Sequence, residues 1–279
     1  MIYPKIDYNH TTRSVANFNF FLRWGCEIWY LISGDVRYFV ENQIYEVEPG
    51  DIIITNPSEI HKPTFKSDKT YERITVCLDP TFFSQFSTEA FDLLSCFYDR
   101  KNGEGNKITL SEEENAEVRR IFSEIEREYA SSETSSEVRI NALMLELLVL
   151  LNKAARGSDK REQVYLGGLV REIISYVERN LDGELSLSAL ERAFFLSAEH
   201  LCRNFKNETG ITLHGFIVKK RMATAQLLLA SGESVTETAE RCGFSDLSNF
   251  IRSFKKHVGM TPSEYKKTAR PFVVKRLVR

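Results

Sequence analysis

Cysteine is sparse and poorly placed for a scaffold. Five thiols, Cys26, Cys77, Cys96, Cys202 and Cys242, are scattered through 279 residues without a C-x-x-C pair. An odd, dispersed set argues against a disulfide framework or a zinc ribbon and fits a reducing cytoplasm. Long apolar runs are also missing. The most apolar stretch, "ALMLELLVLL" at 142–151, is interrupted by Glu146 and too short to span a bilayer. The opening "MIYPKIDYNH" has no apolar signal core. We therefore expect a cytoplasmic protein with no membrane partner.

Net charge is nearly absent too, at −2, but the total hides an uneven distribution. Residues 1–160 carry 18 Lys+Arg against 26 Asp+Glu, and residues 161–279 carry 19 against 13. A basic half beside an acidic half points to a polyanion partner for the basic half, although chance sorting of solvated charges gives the same numbers. The 42% apolar and 27% charged content is ordinary for a soluble globular chain, and the length suits two modest domains.

Periodicity separates three regions. Within 18–79, "EIWYLIS", "DVRYFVE" and "QIYEVEPGDIIIT" are rich in β-branched and aromatic residues and split by "SGD", "EN" and "EPGD" turns. Short strands at this spacing suggest a barrel or sandwich. Residues 111–155 read as two helices, the first opened by a Ser111/Glu114 capping box. The second, "EVRINALMLELLVLLNKAA", is apolar nearly all round, which fits either a dimer interface or an intradomain core. "RGSDKREQ" at 156–163 reads as a polar linker and domain boundary. From Val164 the period is helical, with Leu169, Val170, Ile173, Ile174, Val177 and Leu181 forming one stripe.

One unit is then written twice. "RNFKNETGIT" from Arg203 and "RSFKKHVGMT" from Arg252 match in step, 49 residues apart. In the first copy Ser186 caps a short helix over 187–194, and a longer one opening at Leu196 and Ser197 runs to Thr209, stopped by Gly210. In the second, Ser234 caps 235–242, Gly243 makes the turn, and Ser245 or Asp246 caps a helix reaching Val258, stopped by Gly259. Short helix, tight turn and longer helix is the helix-turn-helix arrangement.

At 100° per residue, Leu201 and Phe205 share one face of the first longer helix, as do Phe250 and Phe254 of the second. The opposite faces carry Glu199, Arg203 and Lys206, and Ser248, Arg252 and Lys255 with Asn249 at the edge. Arg matches the N7/O6 edge of guanine and Asn matches adenine, while Lys supplies charge to phosphate. The alternative is a solvated face; two matching outward faces favour double-stranded DNA. Between the copies a helix over 213–231 spans about 28 Å, close to the ~34 Å between successive major-groove windows.

The run 166–267 resembles the DNA-binding domain of the AraC/XylS family of bacterial transcription regulators. The resemblance rests on "R-M-x-x-A-x-x-L-L" at 221–229, "E-T-A-E-R-C-G-F-S-D" at 237–246, "N-F-I-R-S-F-K-K-H-V-G-M-T-P-S-E-Y" at 249–265 and the echo "H-L-C-R-N-F-K-N-E-T-G" at 200–210. It implies base contacts at Glu199, Cys202 and Arg203 in the first motif and at Leu247, Ser248, Asn249 and Arg252 in the second. Ser197, Lys206, Ser245, Lys255 and Lys256 are the phosphate candidates. The first motif departs from the pattern. Where the second has Ala239 and Gly243, it has Glu191 and Phe195, an awkward charge at the helix crossing and an awkward aromatic in the turn. Glu199 would repel phosphate unless it reads a cytosine amino group.

The segment 27–63 is similar to the cupin-type sensor barrel attached to many members of this family, and 111–155 resembles the family's dimerisation element. Catalytic cupins hold a metal with a His-x-His pair, Glu and a later His. Here only Glu27 and His61 stand where ligands could be, too few for a catalytic metal, so we expect neither an enzyme nor a cofactor. Arg23, Glu27 and His61 beside Trp29 could line a small-molecule pocket suited to a carbohydrate or other metabolite. Alternatively, Glu27 pairs with Arg23 on a strand face and His61 bonds to backbone. The other histidines, His10, His200, His214 and His257, have no metal spacing.

The expected architecture is an α+β multidomain chain. A cupin-like β-barrel (1–110) leads through a helical dimerisation segment (111–157) to an all-α domain with two helix-turn-helix motifs (158–279). The expected function is an effector-controlled, sequence-specific transcription regulator and a homodimer. The family resemblance favours activation, with RNA polymerase as a further partner. The rivals are a cupin metal enzyme with a helical appendage and a helical adaptor that binds protein instead of DNA.

Overall fold

Alternating side chains on short strands build the first half. The structure, a computed structural model, describes residues 5–13, 25–67, 70–157 and 164–268. Arg23 and most of the expected linker, 158–163, lie outside the described residues. The strands are β1 (Ile6–Arg13), β2 (Cys26–Ser33), β3 (Val36–Val40), β4 (Gln43–Val47), β5 (Ile52–Thr55), β6 (His61–Phe65), β7 (Tyr71–Leu78), β8 (Lys107–Ile108) and β9 (Val164–Tyr165). They form two antiparallel sheets, ordered β1-β7-β2-β5-β8 and β6-β3-β4-β9. The stretch "QIYEVEPGDIIIT" splits into β4 and β5 at Gly50, whose φ of 101° is open to glycine and strained for other residues.

The helices are α1 (Pro80–Phe83), α2 (Ser95–Tyr98), α3 (Glu112–Ala130), α4 (Ser136–Gly157), α5 (Gly168–Arg179), α6 (Leu187–Phe194), α7 (Ala198–Thr209), α8 (Leu213–Ala230), α9 (Val235–Arg241), α10 (Leu247–Val258) and α11 (Pro262–Thr268). The Ser111/Glu114 capping box opens α3 as read.

Period-two burial gives each sheet two jobs. On the first sheet Ile28, Tyr30, Ile52, Ile54 and Val76 turn outward, into one core with Val118 and Ile121 of α3 and Met144 and Leu147 of α4. Trp29, Leu31, Ile53 and Tyr71 turn inward, against Val36, Tyr38, Tyr45 and Val47 of the second sheet. The second sheet in turn presents Phe39 and Ile44 outward, where they and Ile60 share a core with Val170, Ile173, Phe205 and Phe216 of the helical half. The layers therefore run helices, sheet, sheet, helices. The apolar girth of α4 has found its explanation: Leu143, Met144, Leu147, Leu148 and Leu151 fill the intradomain core, while Val138 stays 70% exposed.

In the helical half, α8 is the spine. Phe216 and Ile217 of its first half belong to the core of the first motif. Met222, Ala225 and Leu229 of its second half pack with Ala239, Cys242, Phe250 and Phe254 of the second. Arg221 ties the two: its guanidinium donates to the Leu181 and Gly183 carbonyls and lies over the Phe244 ring.

Lys219, also on α8, is buried. Burial, then the nearby Lys62 charge, pulls its pKa from 10.5 to about 7. Between those values the unfolded chain holds more protons at this site, so this lysine makes stability rise with pH across that window. Lys219→Met is expected to be more stable than wild type at pH 7, with the advantage fading as pH approaches 10. Urea unfolding of both proteins at pH 7, 8.5 and 10 checks this; an advantage that grows with pH contradicts it.

Candidate nucleic-acid interface and effector site

Local capping sets up both motifs. Ser186 Oγ accepts the Ala189 N–H to start α6, and Ser197 Oγ accepts the His200 N–H to start α7. Gly210, in the left-handed region at φ 70°, ends α7. In the second copy Ser234 and Glu237 form a capping box on α9, and Gly259 ends α10. Of the two caps expected for α10, Asp246 is the one used: its carboxylate accepts the Ser248 and Asn249 N–H groups at 2.7 and 3.4 Å. Gly243 makes the turn at φ 72°, where a Cβ would sit 2.6 Å from the Leu181 carbonyl oxygen, so only glycine fits.

The expected split between hidden and free faces is present in both longer helices. Leu201, Phe205, Phe250 and Phe254 are fully buried. Ser197, Glu199, Arg203 and Lys206 are exposed on α7 and its cap. Ser245, Leu247, Ser248, Asn249, Arg252, Lys255 and Lys256 are exposed on α10 and just before it. Cys202 differs: it is half-buried and packs against the core of the first motif. Glu199 (85% exposed) receives a hydrogen bond from Arg203 (59%) across one helical turn at 3.3 Å.

The two departures of the first motif have physical answers. Glu191 does not sit as an unsatisfied charge at the crossing; its Oε1 accepts the Ala198 N–H at 2.6 Å and caps α7 from the neighbouring helix. Phe195 adopts the left-handed region at φ 53° and points its ring into solvent, 92% exposed. Open space tolerates the ring there, at a backbone cost of about 1–2 kcal/mol.

The effector candidates gather inside the sandwich. Glu27 and Trp29 on β2 and His61 on β6 all face the interior. His61 Nδ1 donates to the Glu59 carbonyl at 2.9 Å, which leaves Nε2 facing Glu27 Oε1 at 3.4 Å. Tyr38 stacks on His61, donates to Glu27 Oε1 at 3.4 Å and meets Trp29 edge-on. His61 is thus bonded to backbone and aimed inward. Trp29 Nε1 and Thr55 Oγ1, opposite Glu27 on β5, are sealed from solvent and find no hydrogen-bond partner among the described residues. A separate cleft of about 790 Å³, lined by Gly34, Glu46, Val47 and Lys66, opens at the far end of the strands. It lies about 20 Å along β2 from Glu27 and does not include the candidates.

Sequence reasoning missed the junction between the halves. Lys220 of α8 lies between Glu41 and Glu178, bonded to the second at 2.7 Å. Glu41, in the β3–β4 turn at φ 56°, is buried and also accepts the Ile60 N–H at 2.6 Å. Lys62 Nζ donates to the Gly210 carbonyl at 2.7 Å, reaching the C-terminal end of α7. The "EN" dipeptide signals the turn, but nothing local signals that its glutamate is buried against a helix 179 residues away.

Comparison with known proteins agrees with this layout. A family model described as an AraC-like ligand binding domain matches residues 19–148, and one described as a helix-turn-helix domain matches residues 190–268. The uncharacterised HTH-type transcriptional regulator YdiP of Escherichia coli (strain K12) is 24% identical over 249 residues, 86% of this chain and 78% of that protein. An uncharacterised HTH-type transcriptional regulator of Staphylococcus aureus (strain COL) is 24% identical over 240 residues, 86% of this chain; the chain spans only 31% of that relative's length. Among solved structures, the C-terminal domain of AraT, a response regulator from Geobacillus stearothermophilus, is 31% identical over 37% of this chain and 87% of its own, with a TM-score of 0.36. ToxT from Vibrio cholerae O395 is 15% identical over 95% of this chain and 98% of its own, with a TM-score of 0.39. With one model on each half, in the order the motifs predict, and relatives matched along most of its length, the chain belongs to the AraC family of transcription regulators.

Proposed function

We propose that the chain is a sequence-specific, DNA-binding transcription activator controlled by a small hydroxyl-rich metabolite, a sugar in the simplest case, bound inside the sandwich. The observation that carries the DNA reading is the doubled helix with its apolar side sunk and its cationic side free. Arg203 and Arg252 are the guanine readers, Asn249 suits adenine, and Lys206, Lys255 and Lys256 neutralise phosphates. Two chains would pair through the outer surfaces of α3 and α4, and an activator would also touch RNA polymerase. Among the described residues no helix is long and apolar enough to cross a membrane, and we place the regulator in the cytoplasm.

Effector control follows from three consecutive residues. His61 points into the interior, while Ile60 and Lys62 on either side point to the helical half. A ligand that moves His61 therefore pulls on the Glu41–Lys220 contact through Ile60 and on the end of α7 through Lys62. Ligand hydroxyls reaching Trp29 Nε1 and Thr55 Oγ1 would recover about 1–3 kcal/mol for each buried group that lacks a partner.

A panel of carbohydrates and related metabolites, screened by thermal unfolding, tests the effector reading. A ligand at a hundredfold excess over its Kd adds about 2.7 kcal/mol of stability and raises the Tm by several degrees. Thr55→Val, which trades the buried hydroxyl for a methyl of similar size, is expected to reduce that rise. An equal rise in both proteins would put the ligand elsewhere.

A further inference from the structure

The two reading helices are electrostatically unequal. Helix α10 carries Arg252, Lys255 and Lys256 and no acid. Helix α7 sets Arg203 and Lys206 against Glu199 and Glu208. The Glu191 carboxylate adds a third acid, seated on the first amide of α7. In a helix-turn-helix protein the N-terminal amides of the reading helix, with their partial positive charge, are where a DNA phosphate gains most. In α7 that amide is already taken, by a group that repels phosphate. Asp246 covers the second and third amides of α10, but the crossing position there is Ala239, so no carboxylate reaches across to the first.

We infer that Glu191 is a specificity-determining residue: by occupying the Ala198 N–H it stops α7 from gripping DNA backbone indiscriminately, so that α7 adds to binding chiefly where its base contacts match, while α10, which also reads bases, supplies most of the non-specific attraction. This rests on the DNA reading proposed above. The penalty on phosphate is the same at every sequence, whereas base contacts by Arg203, or by Glu199 to a cytosine amino group, offset it only at matching sites. A carboxylate at the crossing is thus useful to a selective reader, although it gives up affinity.

The inference predicts a gain of binding. Glu191→Ala places at this position the residue type that the second motif already uses, and so is expected to fold. The full-length variant should bind random-sequence duplex roughly twofold to fivefold tighter, the range of a helix-terminal charge effect. Its salt slope should steepen by about 0.9 if one phosphate is gained. Its preference for a site selected from a random library by the wild type should fall. Glu191→Gln keeps an oxygen for the Ala198 N–H, controls for folding, and should gain less than the alanine variant. If both variants fold and bind random duplex no tighter than wild type, with the slope unchanged, the role of Glu191 is overturned while DNA binding stands. If the wild type itself binds no duplex at low salt, the DNA reading falls and takes this inference with it.

Discussion

Lys220→Ala is expected to destabilise the chain by about 3–5 kcal/mol, because it leaves Glu41 buried without its partner. Burial already pushes the Glu41 carboxyl up, and without the lysine it must protonate or remain an unpaired charge. Lys220 sits on the spine of the helical half and reaches a turn of the sandwich; Glu178 holds it from the other side. Burial alone would lower its pKa, but Glu41 and Glu178 more than reverse that, so the amine stays charged. Glu41 is committed in two further ways. Its other oxygen accepts the Ile60 N–H, and its backbone holds the left-handed region that non-glycine residues avoid. Removing the lysine loses the ion pair and leaves the rest of that arrangement in place, which is why the loss is large. The paired replacement Glu41→Gln with Lys220→Met removes both charges and should recover most of it. Urea unfolding of the single and double variants measures this. A loss below about 1 kcal/mol for Lys220→Ala would mean the contact is a surface pair and transmits nothing.

Arg252→Ala is expected to weaken binding to the selected site by about 1–3 kcal/mol, roughly 5- to 150-fold, and to relax preference at one base pair. Lys255→Ala should behave differently, weakening all sequences alike and reducing the salt slope by about one. The structural ground is that Arg252 and Lys255 lie on the exposed side of α10, opposite the buried Phe250 and Phe254. Titrations of wild type and both variants on the selected site and on random duplex, at several salt concentrations, separate the roles. Identical behaviour of the two variants would contradict the assignment.

Much of this was legible in the sequence where the signal is local. Helix caps at Ser111, Ser186, Ser197 and Ser234, and the stops at Gly210 and Gly259, depend on residues within one turn of each other, and helical phase alone placed Phe205 and Phe254 inside. An interior placement of Glu27, Trp29 and His61 was one of two readings the sequence left open, suggested by the resemblance to a sensor barrel. Three features were not legible. Strand β1 was missed because "IDYNHTTR" is polar and gains its order by pairing along β7. The service of Glu191 to α7 needs the fold of the motif, since a glutamate at a crossing looks like a misfit until the next helix arrives. The Glu41–Lys220–Glu178 junction joins charged residues far apart in the chain, each of which reads as solvated by itself. Local chemistry wrote the elements, and long-range packing decided which charges work.

The central claim is that one chain presents two coupled reading helices to one face of a duplex. Hydroxyl-radical footprinting of the full-length protein on a selected site tests it most directly. The account predicts two protected windows per chain, about 10 base pairs apart on the same face. A single protected window, or none at low salt, would contradict it.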